Sequence, residues 1–391
     1  MSAGVLAEVS VTSVVERLRA RATRAAAERC LPTESIDDLR RLGVFRALTP
    51  ARYGGAAAAI VPLFESLVHV AEACASSAWV GSLFSLHAFL IGRFPEPLQD
   101  EVWAATPDAL VASSVAPRGE AAVVPDGFRI HGTWSYASGV DHAQWAILTS
   151  LVRQAQHPAA ACLFAVPARD YRIEDDWFVS GLQGTGSKTI RIESPLFVPA
   201  HRTRYLAHLD GQCADAAVFS PLARIPWQSL FSLAFAPAAI GTAAAATKRL
   251  RELLAVKRSA YAGKPLRDSP LSVARLARTV SDVDAATLRL QRDVADLQRC
   301  ADAGSPLSAD VAERIIFDAA EIVDCSARAV ERAFRGGGGA AIRTTSALQQ
   351  HFRDMYAITQ HAAVEYDGAC ERYGASLLPP VPPARRPPSL T

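Results

Sequence analysis

The sequence contains no CxxC pair, no internal repeat, no G-x-G-x-x-G turn after a strand, and no surplus of charge of either sign. Its 41 Lys and Arg stand against 39 Asp and Glu, a formal net charge of +2. No general field therefore draws the chain to nucleic acid or to an anionic membrane. The cysteines (Cys30, Cys74, Cys162, Cys213, Cys300, Cys325 and Cys370) are odd in number and scattered. That argues against a disulfide framework or a zinc site and reads as buried free thiols in a reducing compartment, with no metal expected. The first thirty residues lack the continuous apolar core of a signal peptide, and Glu8, Glu16 and Glu28 count against a transit peptide. The expectation is a cytoplasmic protein. The most apolar stretch, Ser232 to Ala246, is Ala-rich and carries Pro237 and Gly241. It reads as a packed helix and not as a membrane span.

What is present is apolar material for a sizeable core: 50% of the 391 residues are hydrophobic and 20% charged. That length corresponds to roughly two or three domains. Residues 1–110 carry helical patterns, punctuated by TPARYGG and by FPEP. Over 111–215 the texture changes to short runs rich in Val, Ile, Phe, Trp and Thr, separated by Gly, Pro and Asp, which predicts an antiparallel, barrel-like β domain. Over 216–378 the pattern is helical again in four long blocks. In the second block Val273, Leu276, Val280, Val283, Thr287, Leu290, Val294 and Leu297 step by three and four. The fourth carries Leu348, Phe352, Met355, Ala362 and Tyr366 as one helix. Long amphipathic helices with short connections predict a four-helix bundle. The Pro-rich tail, 379–391, cannot be helical. The glycine run from Gly336 to Gly339 follows a helix instead of a strand, so a Rossmann reading fails on context. The fold class is therefore α+β.

Several motifs fall at telling places in that order: TPARYGG early, GTWSYASGVDHAQWAIL and WFVSGLQGTGSKTIRI in the strand region, and FRGGGGAAIRTTSALQQHFRDM near the end. Together they resemble the acyl-CoA dehydrogenase superfamily over nearly the whole chain. SLHAFLIGRFP, the ASS before VAPRG, the Ser-Gly of YASG and FRDMYAITQH resemble a subset of it, the oxygenase components of two-component flavin monooxygenases. The para-hydroxyphenylacetate and steroid-phenol hydroxylases belong to that subset.

The resemblance implies hydroxylation of an aromatic substrate (phenolic, polyketide or indole type) through a flavin hydroperoxide. Reduced FMN or FAD comes from a separate reductase, and oxygen is the co-substrate. It also implies a homotetramer. Four residues carry the catalytic expectation. His361 is placed on the last helix, on nearly the same side as Asp354, with Glu365 one turn further on to orient it. His87 and Ser113 hold the substrate hydroxyl, and Ser138 faces the flavin ring nitrogen beside the oxygen adduct. The bland readings stay beside these: a solvated helix histidine, a core histidine bonded to a carbonyl, a satisfied strand serine, a turn serine. Cofactor contacts are expected at Ser114, Trp134, Tyr136, Ser138, Arg258 and Arg353, and at Gly336 and Gly337 as a loop of free backbone amides. Surface charge and an ordinary helix end are the alternatives. Three rival functions remain: a thioester-oxidising dehydrogenase with Glu365 or Asp367 as base, a nitrogen-hydroxylating sugar oxidase, and a non-enzymatic scaffold.

Overall fold

A computed structural model describes residues 10–56, 59–154, 157–209, 221–259, 263–303 and 305–379. Cys213 and all but the first residue of the Pro-rich tail lie outside them. The first layer is helical: α1 (Val11–Glu28), α2 (Thr33–Arg41), α3 (Ile60–Ala73), α4 (Ala75–Ile91) and α5 (Glu96–Trp103). The long apolar run from Ile60 to Ile91 is two helices, because Cys74 takes an extended conformation (φ −156°, ψ 105°) between them. All 17 residues of α4 are buried. A helix apolar on every side belongs in the centre of a protein, and α4 sits there between the other helices and the sheet.

The middle layer is a sheet of seven strands: β1 (Val111–Val124), β2 (Gly127–Ala137), β3 (Trp145–Gln154), β4 (His157–Pro167), β5 (Arg172–Glu174), β6 (Lys188–Pro199) and β7 (Thr203–Tyr205), in the order β5-β6-β2-β1-β3-β4-β7. The sheet is mixed, not purely antiparallel as the alternation suggested. β1 and β3 run parallel, Val111 opposite Trp145. The cause is the connection after β2, which crosses the start of β1 and delivers β3 to its far side at the same end. Gln144 pins that crossing: its N–H donates to the Leu110 carbonyl, and its Oε1 accepts from the Leu110 N–H at 2.8 Å.

The last layer comprises α6 (Trp227–Leu233), α7 (Ala236–Val256), α8 (Pro270–Ala303), α9 (Ala309–Gly337), α10 (Ala347–Ile358) and α11 (Tyr366–Ser376). The segment Trp227–Val256 is long and apolar enough to cross a membrane, yet most of it is buried inside the fold. It is a core helix pair, as Pro237 and Gly241 suggested.

Three further expectations need correction. On α8, Leu290, Val294 and Leu297 are buried but Val273 and Val280 are exposed. The buried line is Ser272, Thr279, Ala286, Asp293 and Cys300, whose smaller groups let α8 lie close against α9. Gly336 and Gly337 form the last turn of α9, not a loop; a Cβ on Gly336 would lie 2.6 Å from Leu250 Cδ1. Finally, the fourth block is broken. α10 ends at Ile358, and α11 begins only after Glu365, whose carboxylate caps it by accepting from the N–H groups of Asp367 (3.0 Å) and Gly368 (2.8 Å).

Candidate active site

The buried helix α4 carries His87 against the start of β1. Nδ1 of His87 lies 2.5 Å from the Val111 carbonyl oxygen, and Nε2 lies 2.7 Å from Ser113 Oγ. A carbonyl can only accept, so Nδ1 holds the ring proton and Nε2 keeps its lone pair. Ser113 must therefore donate to His87, and its own remaining lone pairs are free to accept. His87 is 1% exposed. Burial pushes its pKa down to about 4, against a smaller upward pull from the Val111 carbonyl, so the ring is neutral at pH 7.

His361 has the opposite arrangement. It lies in the turn between α10 and α11, not on a helix, and its Nδ1 accepts the Ala363 N–H at 3.2 Å. An amide can only donate, so Nδ1 is bare and Nε2 carries the proton. The ring packs against Phe235 at 3.9 Å between centroids, Trp79 at 5.6 Å and Phe231 at 6.1 Å. This apolar setting pushes the pKa down to about 4. Glu365 does not orient the ring, because its carboxylate is committed to capping α11. Nor does Asp354 join it: that carboxylate accepts from Leu182 N–H and Gln350 Nε2.

Trp79 links His361 to a chain of hydroxyls. Its Nε1–H donates to Ser138 Oγ at 3.1 Å; Ser138 Oγ lies 2.7 Å from Ser187 Oγ, which lies 2.7 Å from Thr185 Oγ1. Thr185 in turn donates to the Leu182 carbonyl at 2.9 Å. The Leu182 N–H donates to Asp354 Oδ1 at 2.7 Å, so α10 holds this loop directly. Burial pushes the Asp354 carboxyl above its usual range, against the downward pull of Gln350 and Leu182. Only glycine fits at 181, where a Cβ would sit 2.0 Å from the Arg353 carbonyl oxygen.

The other expected contacts divide. Tyr136 stands 71% exposed with φ 68°, its ring 6.2 Å from half-buried Trp177. Arg353 donates to Gln350 Oε1 at 2.5 Å, and its buried Nε has no partner among the described residues. Trp134 is a core residue, fully buried with Nε1–H on the Thr149 carbonyl at 2.7 Å. Ser114 is a strand serine that donates to the Ser135 carbonyl at 2.8 Å. Arg258 is exposed and gives its Nε–H to the Gly263 carbonyl at 2.6 Å. Its neighbour Lys257 donates to the Gly337 carbonyl at 2.5 Å, so Arg258 and the glycine turn share one end of the bundle. Sequence reasoning did not single out Trp79, Thr185, Ser187, Phe235 or the Asp354–Leu182 tie. Only the Gly-Thr-Gly-Ser string hinted at two of them.

A cleft of about 640 Å³ opens beside this centre, lined by Val152, Ala160, Tyr205, His208, Trp227 and Gln228 among others. Ser113, Ser138 and His361 do not line it. It joins them through Trp227, whose ring lies 5.5 Å from Phe231, and Phe231 in turn touches His361.

Residues 233–366 match the family model described as the C-terminal domain of acyl-CoA dehydrogenase. Helices, central sheet and bundle define an acyl-CoA dehydrogenase-like fold. The crystal structure of 3-HSA hydroxylase from Rhodococcus sp. RHA1 superposes with a TM-score of 0.89 at 30% identity, covering 95% of this chain and 96% of that one. XiaF from Streptomyces sp., in complex with FADH2 and glycerol, gives 0.88 at 26% identity, covering 96% and 97%. The oxygenase subunit HsaA of a flavin-dependent monooxygenase from Rhodococcus jostii is 32% identical over 365 residues, 93% of this chain and 95% of the relative. The oxygenase component of an FADH(2)-dependent resorcinol hydroxylase from Rhizobium sp. is 31% identical over 94% of this chain and 93% of the relative. The chain belongs to this family, the oxygenase components of two-component flavin-dependent monooxygenases. It is a flavin-dependent enzyme that uses oxygen.

The residues present fit a reduced flavin. Ser138 keeps a buried hydroxyl next to the exposed stretch at Tyr136, Tyr136 and half-buried Trp177 offer flat apolar area, and the Arg353 Nε–H lacks a partner among the described residues. The dehydrogenase alternative loses its base: Glu365 caps a helix, and Asp367 is exposed in that helix's first turn.

Proposed function

We propose that the protein hydroxylates an aromatic substrate bearing an acidic hydroxyl or N–H group, of phenolic, polyketide or indole type. Reduced FMN or FAD comes from a separate reductase. When bound, the reduced flavin supplies the electrons that activate oxygen. Ser138, Tyr136 and Arg353 are the residues we take to hold it, while Trp134 and Ser114 stiffen the strands behind them. Arg258 and the turn at Gly336 and Gly337 would serve the flavin of a second copy in a cytoplasmic homotetramer. The exposed Val273 and Val280 on α8 support such an assembly.

The observation that carries the reading is the proton polarity of the Ser113–His87 pair. A substrate hydroxyl can donate to Ser113 Oγ while Ser113 passes its own proton to His87 Nε2. The ring carbon then becomes more electron-rich, which is what attack on an electrophilic oxygen requires. Buried and neutral, His87 can take that proton, and the Val111 carbonyl steadies the cation formed. On the other side, His361 presents Nε2–H as a donor. It can hydrogen-bond the oxygen that departs, and the aromatic rings around it keep water away.

The names of the relatives, which include resorcinol, p-hydroxyphenylacetate and indole-3-acetate enzymes, support an aromatic substrate. The test is to supply FMN or FAD through a separate reductase and assay a panel of phenols and indoles. The expected outcome is hydroxylated product, with hydrogen peroxide as the only fate of oxygen when no arene is present. A protein that purifies yellow and is bleached by an acyl thioester without oxygen would overturn the reading.

A further inference from the structure

We propose that Thr185 and Ser187 are positioning residues that fix Ser138 as a hydrogen-bond acceptor toward the flavin, so that the protein discriminates flavins by oxidation state. The inference rests on the reading above that Ser138 faces the flavin ring.

The direction of every proton in the chain follows from its two ends. The indole Nε1–H of Trp79 can only donate, and it points at Ser138 Oγ, 3.1 Å away. The Leu182 carbonyl can only accept, and Thr185 Oγ1 lies 2.9 Å from it. If Thr185 turned its proton elsewhere, two sets of lone pairs would face each other at that distance in a site where Thr185 is buried. Thr185 therefore donates to Leu182. Its single proton is committed, so across the 2.7 Å contact it must accept from Ser187. Ser187 then has none left, and across the second 2.7 Å contact it must accept from Ser138. Three hydroxyls use three protons, all running from Trp79 toward Leu182. The Asp354 carboxylate, which receives the Leu182 N–H at 2.7 Å, fixes the peptide that ends the chain.

Ser138 is thus left with no proton to offer and one lone pair. That is the complement of a group that carries hydrogen. Reduced flavin has a hydrogen on its central-ring nitrogen N5; oxidised flavin has a lone pair there. A lone pair set against a lone pair is repulsive and leaves a desolvated acceptor unmet. A hydroxyl free to rotate would serve both forms, and this one is not free.

The test is anaerobic equilibrium binding of FMN and FAD, each oxidised and dithionite-reduced, to the full-length protein and its variants. Ser187→Ala releases the Ser138 proton to turn toward the site. Thr185→Val does so indirectly, by letting Ser187 donate back to Ser138. Each should shift the ratio of oxidised to reduced dissociation constants roughly tenfold in favour of oxidised flavin, the size of one reversed hydrogen bond. Thr185→Ser should restore the parent ratio. A purely structural role would weaken both forms alike and leave the ratio alone. If Ser187→Ala and Thr185→Val bind with the parent ratio while Ser138→Ala changes it, the inference fails and the placement of Ser138 stands. If Ser138→Ala changes neither constant, both fail.

Discussion

The two histidines of this site are alike in almost everything except their backbone partner. His87 is buried and His361 half-buried among aromatic rings, and removal from water lowers both to about pKa 4. Yet His87 meets the Val111 carbonyl, and His361 meets the Ala363 amide. The first contact puts the ring proton on Nδ1 and makes the outer nitrogen an acceptor. The second leaves Nδ1 bare and makes the outer nitrogen a donor. Similar acidities accompany opposite hydrogen-bond polarity, so the pKa does not tell which outer nitrogen accepts and which donates. The peptide group behind each ring does.

The largest effect should come from the accepting side. Ser113→Ala removes the group proposed to stand between substrate and His87 and should lower kcat/KM for a phenol by about 10² to 10⁴. The loss should shrink as the phenol is made more acidic by ring substituents, because a substrate already ionised needs no relay. A loss independent of substrate acidity would break the comparison. On the donating side, His361→Ala removes one neutral hydrogen bond and should cost roughly tenfold in product formed per reduced flavin consumed. Hydrogen peroxide should rise to match and flavin affinity should hold, whatever the acidity of the phenol. Unchanged coupling would remove His361 from the chemistry.

The smallest effect is on stability. Each folded-state pKa is lowered, so the stabilisation is present above about pH 6.5 and is lost as the pH falls toward about 4, where only the unfolded chain gains the proton. Asp293, its carboxyl pushed by burial up to about 7, works in the opposite sense. The informative quantity is therefore the difference from the parent. Urea unfolding between pH 7 and 4.5 should fall less steeply for His87→Gln than for the parent protein. Parallel curves would show that His87 is protonated in the fold.

The layers were legible because periodicity reports which side of an element is apolar, and that signal is local. Pairing direction is not local. Nothing in the alternation of AQWAILTSLV tells whether it lies parallel or antiparallel to VASSVA. The break after Ile358 was harder, since TQHAAVE has no Gly or Pro; the hint was Glu365 two residues before Asp367, a capping arrangement easily taken for one more helical turn. Among site residues, His87, Ser113 and Ser138 stood out by type, and the structure gives each a polar partner. Trp134 stood out for the same reason and proved to be core. What no local reading reaches is a partner far along the chain: Ser138 and Ser187 are 49 positions apart, and Leu182 and Asp354 are 172.

The wholly buried α4 also acts as a ruler. Trp79, which backs both Ser138 and His361, and His87 sit eight positions apart on one rigid rod, about 12 Å along its axis. The span between the two ends that the proposed function assigns to oxygen and to the substrate proton is thus set by helical rise and is not adjustable by rotamers. One inserted residue would lengthen that span by about 1.5 Å and swing the far imidazole through about 100°. If the proposed site holds an arene, its length is gauged against a fixed scale, and a change in the length accepted has to come from what fills the gap and not from the rod.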